Sequence, residues 1–169
     1  MLRTEKIVLC AVLTALAAVF SYVEALIPFS FGIPGIKLGL ANVVIVFALY
    51  SLGFRFALLI SCLRILLVSA LFANMTMALY SLAGALLSLA VMGALQRTGL
   101  FSTIGVSAAG GVFHNIGQLI AAVLVVETVS LLGYLPVLIA AGTVTGILIG
   151  MITELAFSHT NKTAGQAQK

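Results

Sequence analysis

Long apolar runs dominate the chain, broken at intervals of roughly twenty residues by short groups of glycine, proline and polar residues. Segments such as 7–20 and 83–95 are apolar or small on every side. They lack the period-two alternation of a barrel strand and the single apolar stripe of a helix at a water surface. The pattern therefore predicts helices immersed in lipid. Six spans are expected, near 6–27, 37–53, 55–73, 77–96, 103–126 and 134–157. The breaks fall at Pro28–Gly35, Gly53–Phe54, Asn74, Arg97–Gly99 and Glu127–Gly133. The apolar run after Lys6 is read as a retained first span, because it continues for about twenty residues and no cleavage site leads into a soluble domain.

Composition strengthens this reading. Of 169 residues, 63% are hydrophobic and 7% charged, whereas a soluble domain carries about 25% charged residues. The expected organisation is one transmembrane domain over 1–157 and a disordered polar tail over 158–169, with no room for a second, soluble domain. The net charge of +4 does not point to nucleic acid, because the basic residues stand singly between apolar runs. They report orientation instead. With both termini cytoplasmic, the inner side carries Arg3, Lys6, Arg55, Arg97, Lys162 and Lys169, and the outer side only Lys37. All three prolines (Pro28, Pro34 and Pro136) then lie at outer ends, and the irregular 28–36 segment suits an outer loop or lid. Cys10 and Cys62 fall inside spans with no metal-binding spacing and are read as reduced apolar fillers.

Small residues recur at helical spacing. Gly142, Gly146 and Gly150 form a stripe in the last span, Gly84 and Ser88 a pair in the fourth, and Ala11, Ala15 and Ala18 a face in the first. Such stripes let helix backbones approach closely. For the glycines, packing within the bundle is expected. For the alanines, packing within the bundle and docking of a separate membrane protein are both open.

Ionisable residues in a membrane are candidates for function. Arg64 lies nine residues after Arg55, about 13 Å along a helix and so near mid-membrane. Its guanidinium cannot be deprotonated and must find an anion, carbonyl groups or water. His114, Asn115 and Gln118 of FHNIGQ lie within about 100° of one another on a helix, flanked by Gly110, Gly111 and Gly117. That polar face either bonds a neighbouring helix or lines a cavity, and the glycines leave room for a cavity. Lys37 can snorkel from the outer end of the second span, whereas Asn42 lies deeper. Glu24 is placed to pair with Lys37 or Arg64.

Certain chemistries find no support. The chain has no aspartate and only four glutamates, all scattered, so a magnesium-holding carboxylate cluster for prenyl or phosphoryl transfer is not expected. No GxxxxGK[ST], HExxH or GxSxG motif occurs. We expect a non-enzyme without cofactor or metal.

IPGIKLGLANVVIVFALYSLG, the arginine in SCLRILL, SLAGALLSLAVM, GVFHNIGQ and YLPVLIAAGTVTGILIG resemble a small bacterial membrane family known as heptaprenyl diphosphate synthase component I, or Gx transporter. The layout also resembles the substrate-binding S components of energy-coupling factor (ECF) transporters. That resemblance implies a compact bundle of six transmembrane helices in a bacterial inner membrane. It further implies an outer site closed by a loop such as 28–36, and an Ala11/Ala15 face that docks a transmembrane coupling subunit served by cytosolic ATPases. The missing ATPase motif agrees with this division of labour. The synthase label agrees less well, since the carboxylates of a prenyltransferase are missing, and it is read as a mark of gene neighbourhood.

The reading is an S-component-like subunit for uptake of a small organic nutrient or cofactor precursor. Its ligand residues would be Lys37, Asn42, Arg64, His114, Asn115 and Gln118, and its docking residues Ala11, Ala15 and Ala18. Arg64 and Lys37 favour an anionic ligand. The alternative is a non-catalytic membrane accessory in heptaprenyl diphosphate or quinone synthesis. Orientation is directly testable. In a cysteine-free background, Ser130→Cys should react with an impermeant thiol reagent added to intact cells and Gln166→Cys should not; the reverse pattern would overturn the topology.

Overall fold

The computed structural model describes residues 3–26, 39–72 and 75–166. These form α1 (Arg3–Leu26), α2 (Leu40–Ser51), α3 (Phe54–Phe72), α4 (Met75–Thr98), α5 (Thr103–Val126) and α6 (Leu135–Gln166), with a 3-10 turn, Val129–Tyr134, leading into α6. The protein is an all-α, multi-pass membrane bundle, as its apolar pattern predicts. The expected lid at 28–36, Lys37 and the Asn74 break lie outside the described residues.

Short connections set the topology. Gly53 joins α2 to α3 at φ +90° and Gly99 follows α4 at φ +67°, backbone conformations that favour glycine. α5 opens with Ser102 as its N-cap, whose hydroxyl accepts from the Gly105 N–H at 3.2 Å. Successive helices thus reverse direction, and Arg55 and Arg97 fall at one end of the bundle, here called the basic end.

Two helices depart from their expected lengths. Five helices are long and apolar enough to cross a bilayer, and α2 is not. Within the expected second span, 37–53, the described residues are helical over Leu40–Ser51, twelve residues or about 18 Å. Because α2 ends at the basic end where α3 begins, its N-terminus lies only about 18 Å from that end. In the other direction, α6 has 32 residues and runs nine past position 157.

The core gathers around α2. Ala41, Val44, Ile45, Val46, Ala48 and Leu49, half of its residues, are buried. Cys10, Leu13 and Ala17 of α1, Ala57 and Ile60 of α3, Leu89 and Met92 of α4, Val106 of α5 and Ile149 of α6 complete the same cluster. Near the basic end, Phe157 of α6 stacks on Phe47 of α2, with ring centroids 4.7 Å apart. The exterior is apolar too: Val8, Leu66, Leu124 and Leu155 are each more than half exposed. A surface of this kind is stable against acyl chains and not against water.

α5 is held between α4 and α6 by near-contact of backbones. A Cβ on Gly142 would meet Gly111 and Val112, one on Gly146 would meet Ala108, and one on Gly150 would meet Ile104. On the opposite flank, a Cβ on Gly117 would lie 2.8 Å from the Gly84 Cα, and Ser88 Oγ donates to the Gly110 carbonyl at 2.8 Å. The glycine stripe of α6 and the Gly84/Ser88 pair therefore pack inside the bundle. Gly110, Gly111 and Gly117 do not leave a cavity beside the fifth helix; Met92, α4 and α6 close on them.

Gly146→Leu should consequently destabilise the bundle by about 1–3 kcal/mol or more, because neither facing backbone can yield. Gly105→Ala should be nearly neutral, since a Cβ there meets its nearest atom only at 3.6 Å. Thermal unfolding in detergent compares the two, and equal losses would contradict the backbone-contact account.

Candidate functional site

One face of α1 carries the residues that meet the rest of the bundle. Cys10, Thr14, Ala17, Ser21 and Glu24 follow alternating spacings of four and three, which hold them within a narrow arc. Thr14 satisfies its buried hydroxyl on the Cys10 carbonyl at 2.8 Å. Further along the stripe, Ser21 accepts a hydrogen bond from Arg64 Nη1 at 3.1 Å. One turn beyond, Glu24 lies near enough for its charge to act on Arg64, and its Oε1 accepts from the N–H of Gly39.

Gly39 caps α2 in the left-handed conformation, φ 73°. The half-buried Asn42 folds back over it; a Cβ on Gly39 would lie 3.2 Å from Asn42 Nδ2. α2 thus begins at a polar cluster made by Ser21 and Glu24 from α1, Gly39 and Asn42 from α2, and Arg64 from α3. Arg64 lies ten residues into the 19-residue α3, about 15 Å from the basic end. α2, about 18 Å long, ends its climb from that side at nearly the same depth. The shortness of α2 therefore brings its N-terminus to the level of the arginine. Arg64 Nε is shut off from solvent and has no hydrogen-bond partner among the described residues. A guanidinium offers five N–H donors and no acceptor, so this cluster holds unused donor capacity facing a partial positive helix end.

The polar face of α5 is divided. A Cβ on Gly84 of α4 would lie 2.8 Å from Gln118 Cγ and 3.1 Å from His114 Cε1. His114 and Gln118 are therefore on the α4 side. Asn115 is on the α6 side, where its Nδ2 donates to the Leu138 carbonyl at 2.8 Å. The arc of about 100° that groups the three in sequence straddles two packing seams. Among the described residues, α3 and α5 share no extended contact, with α4 packed against each. Of the six expected ligand residues, Asn42 and Arg64 are linked through Gly39 and Glu24, the three on α5 are divided between the α4 and α6 seams, and Lys37 falls outside the described residues. Ser21 was missed in sequence, although the 10-14-17-21-24 spacing marks it. Ala11 and Ala15 are exposed and Ala18 half-buried, so the first two do not pack within the bundle.

The family model described as heptaprenyl diphosphate synthase component I matches residues 13–156. The chain belongs to this family. No curated protein and no solved structure matches the chain. The stretch shared with the component I family contains all five residues of the Arg64 cluster and the whole polar face of α5. It contains Ala15 and Ala18 and begins after Ala11. Among the described residues, no three His, Cys, Asp or Glu side chains come together as a metal site.

Glu24 and Arg64 should behave as a coupled pair. Glu24→Ala removes the carboxylate that acts on the buried Arg64 and accepts from the Gly39 N–H, and should destabilise the bundle. Removing both charges in Glu24→Ala/Arg64→Met should recover much of this stability. Unfolding in detergent of the two singles and the double measures the coupling; strict additivity would show that the two charges ignore each other.

Proposed function

We propose that this family member is a membrane subunit that binds a small anionic organic molecule at Arg64, with Asn42 and the α2 N-terminus alongside. Its role would be substrate capture for uptake of a nutrient or cofactor precursor. The supporting observation is the buried, unpartnered Nε of Arg64 beside the mid-membrane start of α2. An arginine there costs at least about 2.5 kcal/mol on insertion scales, and an anion that uses the free donors offsets part of that cost. His114, Asn115, Gln118 and Lys37 remain in the proposal as residues that a rearranged or loaded state would bring to the ligand. The exposed Ala11/Ala15 face, with half-buried Ala18 at its edge, would dock a transmembrane coupling subunit served by cytosolic ATPases. The setting would be a bacterial inner membrane with both termini in the cytoplasm. The chain itself would catalyse no reaction.

The family description favours a second reading, a non-catalytic membrane component that assists heptaprenyl diphosphate synthesis through a separate component. An allylic diphosphate is itself an anion with an apolar tail, so Arg64 would serve either role. The partner separates them: ATPase and coupling subunits in one case, a prenyl-chain synthase in the other.

Native mass spectrometry of the gently purified protein should show a retained small acid, and Arg64→Ala should lose it. The expected weakening is about 1.5–3 kcal/mol, the range for hydrogen bonds to charged groups. Arg64→Lys should recover only part, because an ammonium cannot reproduce the two-pronged guanidinium contact. Retention unchanged by Arg64→Ala would remove the site from this cluster. Ala15→Leu should abolish uptake while leaving ligand retention intact, since a bulky side chain on that exposed face blocks helix docking; loss of both would show that the face supports the bundle instead.

A further inference from the structure

The side of α3 that carries Arg64 changes character at the arginine. Ala57 and Ile60, seven and four positions before it, lie on the same side of the helix and are fully buried. Leu67 and Leu71, three and seven positions after it, continue that side and are 48% and 73% exposed. The start of α2 accounts for the change. Ala57 and Ile60 pack into the cluster gathered on α2, and the α2 helix begins only at its Gly39 cap, beside Glu24. The packed stripe of α1 follows the same course: Cys10, Thr14 and Ala17 are buried, whereas Ser21 and Glu24 are half-buried.

Exposure has a different meaning on the two sides of α3. Leu66 stands about 200° around the helix from Arg64, on the side away from the core, and its 64% exposure is that of a residue facing lipid. Leu71 is exposed on the side that, nearer the basic end, faces the core. An apolar, inward-turned face thus begins where a guanidinium holds a donor with no partner among the described residues.

We propose that the ligand is an amphiphilic organic acid, its acid group on Arg64 and its apolar body along Leu67 and Leu71, pointing away from the basic end. This rests on the reading that Arg64 binds an anion, and adds what kind of molecule carries the charge. The stripe from Arg64 to Leu71 runs about 10 Å, the scale of a short alkyl chain or a small ring system. Inorganic phosphate or another compact anion would satisfy the arginine and leave the two leucines uncovered. The acid arrives from water, because acyl chains of the bilayer meet α3 on its Leu66 side.

The test uses the full-length protein in detergent, titrated with acetate, butyrate and hexanoate at one pH and ionic strength, with thermal stabilisation as the readout. Affinity should rise about fourfold for each methylene that the face buries. Hexan-1-ol, which has the chain without the acid, should not stabilise. In Leu71→Asn the ratio of hexanoate to acetate affinity should fall towards one, and Leu67→Asn serves if that variant does not fold. Leu66→Asn should keep the native ratio, and Arg64→Gln should lose all three acids. Equal affinity for the three acids, or the same fall in Leu66→Asn as in Leu71→Asn, would overturn the amphiphile while leaving anion binding at Arg64 intact. Stabilisation by phosphatidylglycerol that depends on Leu71, with none by hexanoate, would give the face to membrane lipid and overturn the proposal. No stabilisation of the native protein by any of the acids would overturn anion binding at Arg64 and this proposal with it.

Discussion

A guanidinium held halfway along α3 cannot lose its proton, so the bundle must supply partners at a depth where lipid supplies none. Ser21 and Glu24 reach it from α1, and α2 starts beside it. The short length of α2 belongs to the same constraint. A full-length second helix would carry its N–H groups past the arginine into its own hydrogen-bonded turns, and Gly39 would have no free N–H to offer Glu24. By starting beside α1, α2 offers the Gly39 N–H to the Glu24 carboxylate.

The two halves of the bundle are assembled differently. α4, α5 and α6 meet through glycine, alanine and serine, with Gly146 on Ala108, Gly142 on Gly111 and Gly84 on Gly117. Where lipid is as apolar as leucine, close backbone approach supplies the attraction that water would otherwise enforce. α1, α2 and α3 meet through larger side chains such as Leu13, Leu49 and Ile60, and through the polar cluster. No Asp, Glu, Lys or Arg occurs in α5.

Much of this architecture is legible in the sequence. Six apolar runs, their breaks at Gly53 and Gly99, and the inward packing of the Gly142–Gly150 stripe follow from hydropathy and residue size. The length of α2 was not legible, because LGLANVVIVFALYS stays apolar beyond the point where the helix starts and lipid solubility does not distinguish helix from coil. The site was half legible. Arg64 stands out by charge alone, and Glu24 was a candidate partner. Ser21 is an unremarked polar residue until the buried stripe of α1 is traced, and the alanines drew attention to the wrong face of that helix for the site. His114, Asn115 and Gln118 are divided for a geometric reason: an arc of 100° is wide enough to face two neighbours, and here it does.

The backbone contacts of α5 have a mechanical consequence. Helices that touch atom to atom at Gly111, Gly142 and Gly146 cannot slip past one another by a residue without driving a side chain into a peptide group. α4, α5 and α6 therefore form a stiff plate, and α6 continues to Gln166. Displacement within the bundle falls to the other three helices, which meet through larger side chains and the polar cluster. A change at that cluster would then be felt as a change in the angle of α1 and α2 against a fixed wall.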